Sequence, residues 1–285
     1  MIRKRNISKT VTALLTTALL IGCQKEEVLV MPTFYDSQVD VNPIDEWIYQ
    51  NYTAPYNIAV DYRWNPFEVP VFKDLVPVKE EKVIPVMTVV KQTWIEPYLS
   101  QAGEAFVKNY APKQFVLVGS AQFNNDGTTV LGEAESGRKV TLYVINDFVN
   151  TNVPEVKQLL HTIHHEFAHI LHQTVLYPQT YKSITASGYT ATWYNTDVQS
   201  ALDLGFITPY ARFNSDEDFV EMVSVMLVKG HDGYEELIAN ASSEGRISIR
   251  KKEAIVVAYF QQTWNINFYE LQALTEAAIA QATQG

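Results

Sequence analysis

Cysteine is almost absent. The chain of 285 residues has one, Cys23, so no disulfide can form within it. Basic residues are also sparse, with 22 Lys and Arg against 32 Asp and Glu, a formal net charge of −10. That balance disfavours nucleic acid or an anionic membrane surface as a partner. No internal repeat or low-complexity tract is present. The one short apolar run near the start, residues 11–21, is too short to span a bilayer as a stable helix. What remains is ordinary for a globular chain: 47% apolar residues, enough for a real core in one large domain or two small ones. The 16 Tyr, 13 Phe and 5 Trp are expected mainly in that core and at its rim.

Histidine is scarce too, with six in all, but five of them fall within residues 161–172. His165-Glu166-Phe167-Ala168-His169 reads as HExxH, the zinc-peptidase signature. At about 100° per residue, helix positions i and i+4 lie only ~40° apart, so two imidazoles can grip one ion. Glu166 falls ~100° round from His165, beside the ion, where it can take a proton from water. The surroundings agree with a helix. Pro154 suits a first turn, and no Pro or Gly follows until after Thr174. Val156, Leu159, Leu160, Ile163, Phe167, Ile170 and Leu171 fall at roughly 120–240° from His165. His161, His169 and His172 fall within about 40° of it. One face packs and the other carries imidazole. His161, His164 and His172 are read as packing or supporting histidines, not ligands.

At the N-terminus, Arg3, Lys4, Arg5 and Lys9 precede the apolar run, the pattern of a signal peptide. Leu20-Ile21-Gly22-Cys23 resembles a bacterial lipobox. The resemblance implies cleavage before Cys23 and lipid on its thiol. Gln24-Lys25-Glu26-Glu27 resembles the surface-export signal of outer-membrane lipoproteins; a solvated tether is the other reading. The expected organisation is a signal peptide at 1–22, a lipidated tether at 23–44 and a single catalytic domain at 45–285, anchored at the outer membrane.

Along that domain the patterns predict a short helix over 45–51, a strand over 56–64 and irregular chain over 66–82. Helices follow after Pro85 to Tyr98 and over 102–110, and a strand over 114–119. Asn124-Asn125-Asp126-Gly127 is a turn signal. The next strand, 139–145, is either an ordinary sheet strand or an edge strand able to pair with an extended peptide. Residues 187–196 read as a loop, a candidate cleft wall. Helices are expected over 219–228, with Ser215 as N-cap and Gly230 as stop, and then over 234–241, 248–260 and 268–281. Strands early and helices late give an α+β class.

The helix over 219–228 is apolar nearly all round, so it is buried, and carboxylates in or beside it need a metal or a partner. Glu217 and Glu221 are i and i+4 and share a face. Spacing alone does not choose between them.

HExxH followed by Glu-x-x-x-Glu on a later helix resembles the gluzincin metallopeptidases, most closely the lethal-factor-like and Pro-Pro-endopeptidase-like branch. There a Tyr precedes the third-ligand Glu by seven residues, as Tyr210 precedes Glu217. The resemblance implies a zincin-like fold with a small mixed sheet, a central HExxH helix and a helical C-terminal part. It implies one zinc ion held by His165, His169 and Glu217. Glu166 would be the general base, Tyr210 would hold the oxyanion, and Glu221 would orient a ligand histidine. The lipobox, His164 to His169 and Glu217 to Met222 also resemble the zinc metallohydrolase lipoproteins associated with nutrient import. Peptide or protein substrates and outer-membrane import components are the implied partners. The rival expectation is a metal-stabilised binding subunit that hydrolyses nothing.

Overall fold

The computed structural model describes residues 42–69, 72–123, 129–130, 132–135 and 139–284. Residues Val41–Gly285 form one compact unit. The signal peptide, Cys23 and the tether as far as residue 41 lie outside the described residues; residues 42–44, expected in the tether, already belong to the cap and first turn of the first helix.

The main sheet has four short strands: β1 (Ala59–Asp61), β2 (Gln114–Leu117), β5 (Gly132–Glu135) and β6 (Lys139–Leu142). A separate antiparallel pair is formed by β3 (Gln122–Phe123) and β4 (Thr129–Val130). The expected turn at 124–127 lies between them, outside the described residues. The order in the main sheet is β1-β2-β6-β5. The first three strands run parallel, with Val60, Phe115 and Val140 in register, and β5 is antiparallel to β6. The sheet is therefore mixed, as expected, but β6 is interior. The bordering strands are β1 and, beside β6, β5.

The strands end sooner than alternation predicts. Ile58, Val60 and Tyr62 are all buried on the expected period of two. Asn57, however, takes a left-handed turn (φ 57°), which starts β1 late. Val144 does the same at the far end of β6 (φ 66°). This is costly for a β-branched residue, and it sends the chain into a 3-10 turn at Ile145–Asp147.

Helices dominate the rest. They are α1 (Pro43–Ile48), α2 (Ala54–Tyr56), α3 (Glu80–Val90), α4 (Glu96–Tyr110), α5 (Val153–Thr174), α6 (Thr180–Ile184), α7 (Val198–Asp203), α8 (Ser215–Ala239), α9 (Ser243–Trp264) and α10 (Phe268–Ala282). Four of them precede β5, so helices are not confined to the C-terminal part. Helix α3 begins before Pro85 and contains it. Pro85 and Glu81, the residue four before it, are both exposed, so water can serve the carbonyl that proline leaves unbonded. Gly103 (φ 78°) kinks α4, which accounts for the two separate helices expected there. Among the described residues no helix is long and apolar enough to cross a membrane.

Several large aromatics build the floor under α5. Phe167 meets Trp94 at 5.2 Å and Tyr98 at 4.9 Å, both edge to face, and Trp94 meets Phe115 at 5.8 Å. Such pairs add about 0.5–1.5 kcal/mol each beyond burial. The histidine helix is thereby fixed on its apolar side. On its other side runs α8, backed by α9 and α10. Its N-cap is Asn214, whose side chain accepts from the amides of Asp216 and Glu217. Ser215, the expected cap, is the first helical residue.

Candidate metal centre

Helices α5 and α8 lie side by side and bring together His165, His169, Glu217 and Glu221. His165 Nε2 is 3.1 Å from Glu217 Oε2, and His169 Nε2 is 3.3 Å from the same oxygen. These three residues offer ligand atoms within 4.8 Å of one another. A tetrahedral zinc ion with ligands at about 2.0–2.1 Å sets them about 3.3–3.4 Å apart. Two imidazole nitrogens and a carboxylate oxygen at the observed spacing fit such an ion.

A second group, His161, His165 and Glu221, also lies within 4.8 Å. Here the carboxylate is already engaged. His165 Nδ1 donates to Glu221 Oε1 at 2.7 Å, His161 Nε2 donates to the same oxygen at 2.9 Å, and Thr208 Oγ1 donates to Oε2 at 2.6 Å. Ser224 holds His161 in turn, donating to its carbonyl at 2.6 Å. Glu221 thus turns the Nε2 of His165 toward Glu217. For His169 the equivalent support is His172, whose Nε2 accepts from His169 Nδ1 at 3.0 Å. Thr208 and Ser224 carried no signal in the sequence, because each acts on a residue of another element, Thr208 on Glu221 and Ser224 on His161. His172, three residues after His169, shares its helix face, as the supporting role expected of it requires.

The electrostatics favour positive charge at this point. Burial opposes ionisation of Glu217, but hydrogen bonds from His165 and His169 outweigh it and hold its pKa at about 2. Burial likewise opposes the charge on Glu221, and His161 and His165 hold it well below the usual carboxylate range. Burial disfavours a protonated His165, yet Glu217 and Glu221 lift it to about 10. The buried Glu221 and the half-buried Glu217, both staying ionised, make the imidazole pair a strong seat for a cation.

Glu166 is half-buried, and its charge reaches both His165 and Tyr210. Tyr210 sits in a 3-10 turn, Tyr210–Arg212, with its ring stacked on His165 at 5.8 Å. Burial first, and then Glu217, Glu166 and Glu221, push its pKa up, so the hydroxyl keeps its proton and can donate. The structure therefore brings His165, His169, Glu217, Glu221 and Tyr210 together, with Glu166 beside them, while His164 turns away to pack on Tyr98.

One buried pair had no counterpart in the sequence reading. Asp218, next to Glu217, is fully buried and pairs with the equally buried Lys252 at 2.6 Å. Lys252 also donates to the carbonyl of Gly205, and Tyr189 donates to Asp218. Breaking such a pair from one side typically costs about 3–5 kcal/mol. It locks the start of α8 to α9 and to the loop that carries Tyr189.

The family described as "Putative zinc-binding metallo-peptidase" matches residues 37–269. The chain belongs to this family. Among solved structures, a crystal structure of a putative zinc-binding metallo-peptidase from Bacteroides caccae is similar over 85% of this chain and 93% of its own, with 35% sequence identity and a TM-score of 0.75. The mostly helical α+β fold with its His- and Glu-lined centre agrees with membership in this zincin-like group. No curated protein matches the chain.

Proposed function

We propose that this member of the family is a gluzincin-type peptidase that holds one zinc ion through His165, His169 and Glu217 and cleaves peptide bonds by adding water. The observation that carries the reading is Glu217 Oε2 standing 3.1 and 3.3 Å from the two Nε2 atoms, with the ionisable Glu166 next to His165 in the chain. Zinc bound there supplies Lewis acidity, lowering the pKa of water toward ~7 and polarising a carbonyl.

The chain's own residues do the rest. Glu166 accepts a proton from the attacking water and returns it to the leaving nitrogen. Tyr210, protonated and aimed at the same point, donates to the developing oxyanion; one such donor is typically worth about 2.7–4 kcal/mol in the barrier. Glu221 and His172 fix the rings of His165 and His169 from behind. Strand β5 borders the sheet, so the peptide-pairing role considered for 139–145 moves to it. An extended substrate would add to the sheet there.

Glu166→Gln is expected to keep zinc and to lose at least about a hundredfold in turnover of a mixed peptide library. A variant that cuts at the wild-type rate would contradict the role of Glu166. The lipid anchor belongs to the same proposal and rests on residues 20–23. Radiolabelled palmitate should enter the wild-type chain in bacteria and not the Cys23→Ala variant; equal labelling of both would remove the anchor.

A further inference from the structure

Most aromatic side chains are spent on the core, but a group beside the metal centre is left open. Tyr210, stacked on His165, is flanked by Phe213, parallel at 6.2 Å, and by Trp193, edge-on at 4.8 Å. Tyr194 continues the row at 6.0 Å from Trp193. Phe213 is 42% exposed and Tyr194 50%. The two segments that carry them are tied together. Thr190 N donates to the Arg212 carbonyl at 2.7 Å, Arg212 Nε donates to the Gly188 carbonyl at 3.0 Å, and its guanidinium also bonds Thr196. Arg212 is the one charged residue in residues 188–196 and 209–213, and these bonds occupy it. The result is a braced, uncharged aromatic wall that starts at a metal-ligating histidine and ends in solvent.

We propose that Trp193, Tyr194 and Phe213 form a stacking subsite that selects peptides with an aromatic or other bulky apolar side chain next to the scissile bond. The proposal rests on the peptidase reading and names its substrate class. Open aromatic faces are favourable only when covered, and an apolar side chain covers them without leaving a charge desolvated. An acidic or small polar side chain gains nothing from this wall.

The test uses zinc-loaded protein and a set of fluorogenic peptides that differ at one residue flanking the scissile bond: Phe, Leu, Ser or Asp. The expected result is about a tenfold preference in kcat/KM for Phe and Leu over Ser and Asp. Tyr194→Ala and Phe213→Ala should raise KM for the Phe peptide about three- to tenfold, leave the Ser peptide unchanged and keep zinc content. Absence of side-chain preference would overturn the subsite while the peptidase reading stands. So would a uniform fall in kcat across all four peptides, which would make the wall only a brace for Tyr210.

If no peptide is cut, binding decides. Zinc-loaded Glu166→Gln is titrated with the same peptides while tryptophan fluorescence is followed, with Trp193→Phe as the control for the signal. Selective binding of the Phe peptide, lost in Tyr194→Ala, upholds the subsite and leaves the peptidase reading to fail alone. Binding of chitin oligosaccharides in place of every peptide overturns the subsite, since sugars also stack on open aromatic rings.

Discussion

His164 and His172 flank His165 and His169 on α5, and neither belongs to the groups of described residues that could hold a metal ion. His164 is fully buried against Tyr98, and neither of its ring nitrogens has a hydrogen-bond partner among the described residues. Burial, aided by His161, pushes its pKa down to about 3; burial and His169 push His172 down to about 4. Both are held neutral in the fold but can take a proton in the unfolded chain, where histidine titrates near ~6.5. Their contribution to stability is whole above that pH and is lost as pH falls toward the folded values. For His164 alone the loss from pH 6.5 to pH 5 is about 2 kcal/mol. Thermal melts between pH 7 and 5 should show a smaller fall in Tm for His164→Phe than for wild type. Parallel curves would mean that His164 is not the group being protonated.

At the scale of elements, the centre depends on two helices keeping their rotation relative to each other. Helix α5 was legible in the sequence because its imidazole stripe and its apolar face repeat on the same 3.6-residue period. The start of α8 was legible from Glu217 and Glu221, four apart. Its length was not, because it resumes after Gly230 without leaving the bundle. Gly230 has φ 71°, and a Cβ there would lie 2.5 and 2.6 Å from the carboxylate oxygens of Glu276. The ψ of Gly230, 180°, places it in a region essentially reserved for glycine, so Gly230→Ala costs about 1–3 kcal/mol. At this chain length the Tm falls by about 2–12 °C. Adding Glu276→Ala should recover only a small part, since that exposed side chain can move and the backbone strain remains. An unchanged melt for Gly230→Ala would refute the strain.

Across the whole molecule, what was hidden in the sequence was pairing at a distance. Strand β6, a candidate for the sheet edge, is interior because the chain folds β5 back against it, and strand order leaves no trace in alternation. The ends of β1 and β6 are set by Asn57 and Val144 in left-handed conformations; a valine reads as strand, so its turn could not be foreseen. Lys252 looks like any surface lysine until α9 carries it to Asp218. The imidazole stripe of α5, in contrast, is local chemistry on one helix, and local chemistry is what a sequence shows.

The proposed mechanism depends on zinc being held by His165, His169 and Glu217. Native mass spectrometry of residues 41–285, equilibrated with micromolar zinc, should find one zinc ion per chain in wild type. It should find one, more weakly held by about ten- to a hundredfold, in Glu221→Ala, and none in His165→Ala or Glu217→Ala. A folded wild type that takes up no zinc, or zinc kept in Glu217→Ala and lost in Glu221→Ala, would contradict the proposed centre.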